Sequence, residues 1–75
     1  MKATPWEYMA EWMHHDIVTL RCNQLGSIGW QVVTMEHTAS EASAQTVSYG
    51  GQTITVKPGF SDGWWVFLQR TPIGG

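Results

Sequence analysis

A chain of 75 residues has room for one small hydrophobic core, and its composition excludes several classes of function. A lone cysteine excludes a disulfide scaffold, and four scattered cations (Lys2, Arg21, Lys57 and Arg70) with a net charge of −2 argue against a duplex nucleic-acid partner. No apolar run nears the roughly 20 residues that span a bilayer. At roughly 1.5 kcal/mol of conformational entropy per residue, burial in so short a chain barely offsets a folding cost on the order of 110 kcal/mol, which makes oligomerisation the expected staple.

In chain order, the segment Trp6-Glu7-Tyr8-Met9-Ala10-Glu11-Trp12-Met13 admits two readings. As a strand it alternates Trp6, Tyr8, Ala10 and Trp12 against Glu7, Met9, Glu11 and Met13. As a helix it has the capping box Thr4-Pro5-Trp6-Glu7, with Trp6, Met9 and Met13 on one face. Residues 16–25 read as a helix, with Asp16 as N-cap, a narrow stripe of Val18, Cys22 and Leu25, and Gly26 where a C-terminal glycine is favoured. Residues 30–37, from Trp30 to His37, are rich in β-formers and predict a strand, while Thr38 to Ala44 read as loop. Residues 45–56 predict a hairpin around Gly50-Gly51, because both central positions of a two-residue turn can then take φ > 0. Lys57-Pro58-Gly59 and Ser61-Asp62-Gly63 carry turn chemistry, residues 64–70 predict a closing strand, and residues 71–75 a loose tail.

The run Cys22-Asn23-Gln24-Leu25-Gly26-Ser27-Ile28-Gly29-Trp30-Gln31-Val32-Val33 resembles the Leu-Asn-x-Leu-Gly-x-x-Gly-Trp-Glu-Leu-Val signature of the small bacterial and phage family called domain of unknown function 4177. Trp6-Glu7-Tyr8 is similar to that family's opening strand and Phe67-Leu68-Gln69-Arg70 to its closing one, so the resemblance touches both ends and the middle. It implies a compact sheet with one helix, tips residues 3–13 to strand, and makes Cys22, Leu25, Gly26, Gly29 and Trp30 a helix-to-strand joint. It implies no activity. The departures are Cys22 for leucine, Gln31 for an acid, and a longer stretch from Ser40 to Gly63 that inserts the hairpin.

The expected fold is therefore α+β, a small antiparallel sheet of four to five strands with one helix packed on one face. His14-His15-Asp16 is the nearest approach to a metal cluster, but adjacent histidines point apart on regular structure, and a site requires His37 alongside. Cys22 on an apolar stripe reads as packing rather than a nucleophile, and Glu7 and Glu11 as edge charges too far apart to share a proton. No catalytic residue, cofactor or metal is expected. The aromatic set is the informative feature. Trp64, Val66 and Leu68 alternate with Trp65 and Phe67, and Trp30 and Val32 with Val33 and Met35, so both sheet faces are apolar and one short helix covers only one.

The expected function is a non-enzymatic binding module that self-associates through an aromatic-rich sheet face, with Trp6, Tyr8, Trp12, Tyr49, Gly50, Gly51, Trp64 and Trp65 as candidate binding residues. The phage members of the resembling family suggest an inhibitor or sequestering protein aimed at a host component. The alternatives are a structural assembly subunit of a phage or bacterial complex, and a binder of a nucleotide or another planar small molecule. One free thiol and no basic stretch followed by an apolar run near the N-terminus give a cytoplasmic expectation.

Overall fold

Residues 6–71 are described by the computed structural model; the expected strand start at residues 3–5 and the tail at 72–75 lie outside them. The elements run β1 (Glu7–His14), α1 (Val18–Gly26), β2 (Gln31–Ala42), β3 (Gln45–Tyr49), β4 (Gln52–Val56) and β5 (Gly59–Arg70). The N-terminal segment is thus a strand, and every residue from Glu7 to His14 has a partner on β5.

The five strands divide into two antiparallel sheets instead of one sheet of four to five. One has the order β1-β5-β2 and the other is the β3-β4 hairpin. Pairing breaks at Ser43-Ala44 and at Lys57-Pro58, where proline has no N–H to give to a ladder. Beyond those breaks β3 and β4 pair only with each other, from Gln45 opposite Val56 to Tyr49 opposite Gln52.

β2 and β5 are longer than their sequence suggests. Thr38 to Ala42, expected as loop, and Gly59 to Gly63, expected as turn, are strand because each is the other's partner, as in Ser40 opposite Ser61. A register shift between Val32 and Thr34 makes Val33 a bulge. This resets the alternation: Val32 faces Leu68 and Met35 faces Val66, so Val32 and Met35 share a face, contrary to the expected pairing of Val33 with Met35.

Asp16 does not cap α1. Its backbone N–H donates to His14 Nδ1 at 3.1 Å, its carboxylate lies 3.0 Å from His15 Nδ1, and Ile17 holds the N-cap position with no side-chain bond. At the other end Gly29, not Gly26, takes the left-handed conformation (φ 96°). The turn is closed by the N–H groups of Ile28 and Trp30, which both donate to the Leu25 carbonyl at 3.1 Å.

The core joins Met13, Val66 and Leu68 of the large sheet to Ile17, Leu20 and Leu25 at the helix and Val47 of the hairpin. Each such side chain contributes roughly 1.5–3 kcal/mol on burial. Leu20 lies outside the expected stripe, whereas Val18 and Cys22 are only half-buried beside it.

Candidate binding face

Strand register assigns the aromatic residues to faces. Met9 opposite Leu68 and Met13 opposite Trp64 lie on the core face, so Tyr8, Ala10 and Trp12 of β1 lie on the other with Trp65 and Phe67 of β5. This second face is open: Tyr8 is 71% exposed, Trp65 41% and Phe67 36%, and the bulged Val33 is 57% exposed. Tyr8, Ala10, Val33 and Phe67, with Met9 and Leu68, line a shallow trough of about 320 Å³ across the three strands. No carboxylate, imidazole, amine or thiol lines it. Such a site can hold an apolar or aromatic group, with the Tyr8 phenol as the polar side chain in its lining.

The candidate residues named from sequence separate into distinct places. Tyr8, Trp12 and Trp65 share the open face. Trp64 is on the core face, half-buried, with its ring centroid 5.0 Å from that of His37. Trp6 is exposed just before β1. Tyr49, Gly50 and Gly51 form the tip of the hairpin, where the glycines take φ of 61° and 82°. Phe67, Val33 and Ala10 complete the trough but were absent from the sequence-derived set. Phe67 alternates in phase with Trp65 and was within reach of that reading, whereas Val33 reaches the trough because of the bulge.

The helix-to-strand joint is structural. Leu25 is buried, and the half-buried Trp30 carries the Arg70 guanidinium 4.4 Å from its ring centroid. Arg70 also donates to Glu7 at 3.2 Å and to the Ile28 carbonyl at 3.4 Å, which ties the end of β5 to β1 and to the joint. Glu7 and Glu11 are therefore ion-pair partners, not free edge charges. Arg21 grips Glu11 with two bonds of 2.7 and 2.9 Å and also donates to Gln24 at 2.7 Å. Glu11 and its bonds hold the Arg21 pKa above its ordinary value.

His14, His15 and Asp16 form a cluster with ligand-type atoms within 4.8 Å of one another. Its groups are already engaged. Nδ1 of His14 accepts the Asp16 N–H, which puts the proton of the neutral ring on Nε2, directed at Ser61 Oγ 2.6 Å away. His37 does not join them: it pairs in register with Trp64 on the core face, while His14, two residues from Trp12, lies on the open one. Cys22 packs with its sulfur 4.0 Å from that of Met13, and burial, with a smaller push from Glu11, raises its thiol pKa.

Comparison with protein-family models, with curated proteins and with solved structures finds no match. Among the described residues, no helix is long and apolar enough to cross a membrane.

Proposed function

We propose that the chain is a non-enzymatic binding module that self-associates through the open face of the large sheet. In this reading α1 and the β3-β4 hairpin cover part of the core face, where Val32, Met35 and Phe60 stay exposed, and among the described residues the aromatic part of the other face from Tyr8 to Trp65 is left open. The observation that carries it is the contiguous set of Tyr8, Val33, Trp65 and Phe67, each more than one third exposed, around a mostly apolar trough. Isolated exposed apolar residues are ordinary on a soluble protein, but aromatic residues grouped around a concavity mark a contact surface. The same trough is poorly suited to a nucleotide, which needs donors, acceptors and compensation of its phosphate charge. The exposed hairpin tip at Tyr49 to Gly51 is left for a different partner, such as the host component suggested by the family resemblance.

The test is the mass in solution over a concentration series, by light scattering or sedimentation. Wild type is expected as a closed oligomer that Phe67→Asp breaks up, while Thr53→Asp on the exposed hairpin leaves it intact. Indefinite assembly would favour the structural-subunit alternative. A wild-type chain that remains a single copy at high concentration would overturn the reading.

A further inference from the structure

The geometry points to a two-fold pair in which Tyr8 of each copy covers the partner's Val33, about an axis that runs along β5 above Phe67; this arrangement rests on the self-association proposed above. Tyr8 projects from β1 at one edge of the sheet, Val33 bulges from β2 at the other, and Phe67 lies on β5 between them. At the usual strand spacing the two edges are about 10 Å apart. Along the strands they differ by about one and a half residues, roughly 5 Å and within reach of a tyrosine side chain, since Tyr8 lies opposite Gln69 and Val33 falls between the partners of Leu68 and Phe67. The surface thus carries a projecting ring on one side and the receiving wall of a trough on the other, which is the self-complementarity an isologous contact needs.

A rotation about an axis along β5 exchanges the two edges. Each phenol then comes down on the other copy's trough, against its aliphatic bulge, and the β5 strands pack aligned, as stacked sheets commonly do. A rotation about an axis across the strands keeps β1 over β1 and β2 over β2. It keeps each phenol over the partner's β1 edge, where it does not reach Val33, and leaves both bulges facing each other at the other.

Size points to a weak pair. Tyr8, Trp65 and Phe67 leave roughly 300 Å² of aromatic surface uncovered, which is about half of the ~600 Å² per copy in the smallest stable interfaces. The pair should therefore dissociate on dilution.

The experiment uses Tyr8→Lys and Val33→Glu as separate proteins and as an equimolar mixture, followed by sedimentation. Each alone presents a charge to an apolar wall and is expected to weaken pairing about tenfold or more. In the mixed pair the new ammonium meets the new carboxylate at one contact and the wild-type contact survives at the other, so pairing should return to within about threefold of wild type. A mixture as weak as either component, with wild type still paired, overturns this arrangement and leaves self-association standing. Wild type that sediments as a single copy at every concentration overturns both. If far-ultraviolet circular dichroism shows that either variant is unfolded, Tyr8→Cys and Val33→Cys in a Cys22→Ser background replace them, with a short bismaleimide as linker. The mixture must then link faster than either protein alone, and equal or slower linking overturns the arrangement.

Discussion

The indole of Trp12 lies across Gly63, so that a Cβ at position 63 would overlap both that ring and the Met13 carbonyl. Trp12 pairs in register with Trp65 and Gly63 with His14, so the ring crosses β5 diagonally. Its Nε1–H then reaches the Thr38 carbonyl on β2 at 3.3 Å, and one side chain spans all three strands of the sheet. An aromatic ring over a strand glycine restores the surface the glycine leaves bare. Because one of the obstructing atoms is backbone, Gly63→Ala cannot be absorbed by a rotamer change alone. It is expected to cost about 1–3 kcal/mol, read as a lowered urea midpoint with an unchanged m value. An unchanged midpoint would mean that both the ring and the Met13 carbonyl give way without cost.

Burial gives a pH signature at Cys22, whose thiol pKa is raised from the ordinary 9.0 chiefly by desolvation. The folded chain therefore holds the thiol proton more tightly than the unfolded chain. The corresponding stability is fully present below the unfolded pKa and is lost as pH rises from there through the folded value. Urea midpoints of wild type should accordingly fall more steeply above pH 9.0 than those of Cys22→Ala, in which this contribution is absent. Parallel pH profiles for the two proteins would show that the site leaves the thiol unperturbed.

Local chemistry reveals some of this architecture and tertiary pairing the rest. The Gly50-Gly51 turn is legible because its dihedral requirement is met within two residues, whereas local pattern puts the helix-ending glycine at Gly26 and the left-handed residue is Gly29, which the family resemblance supplies only as a motif position. The strands formed by Thr38 to Ala42 and Gly59 to Gly63 are not legible. Small polar residues and glycine have weak strand preference, and these segments are held by each other. The Val33 bulge leaves no mark in the sequence, since an inserted residue is defined by its partner strand, and it is the bulge that takes Val33 to the trough. Asp16 fails as a cap for a similar reason, because its carboxylate lies 3.0 Å from His15 Nδ1 and the helix starts one residue later, with Ile17 at the N-cap. Of the aromatic set, alternation sorts Trp65 from Trp64, but only the position of the core tells which of the two faces is covered.

The hairpin turn offers a test that separates fold from association. Gly50 and Gly51 both have positive φ, at 61° and 82°, where a Cβ costs roughly 1–2 kcal/mol per residue. Gly50→Ala and Gly51→Ala should each lower the thermal midpoint, and Gly50→Asn less so, because asparagine tolerates this region. Neither glycine lies on the open sheet face. The concentration dependence of the mass in solution should therefore match wild type for all three, and altered association would place the contact on the hairpin instead.

Gln45 substitutes for a strand along the free edge of β1. Its Oε1 accepts the His14 N–H at 3.0 Å and its Nε2 donates to the Trp12 carbonyl at 3.0 Å, so one carboxamide serves as a peptide group would. Residues 12 and 14 of an edge strand otherwise present these groups to any passing strand. Gln45→Glu keeps an acceptor for His14 but sets a carboxylate oxygen against the Trp12 carbonyl, and Gln45→Ala leaves both backbone groups without this partner. Either change is expected to cost about 1–3 kcal/mol, since partly buried polar groups lose their partners. Hydrogen exchange at the His14 amide should accelerate markedly in Gln45→Ala, where the N–H loses its acceptor, and less in Gln45→Glu, where an acceptor remains. Equal protection of that amide in wild type and Gln45→Ala would show that the carboxamide bond does not shield the edge.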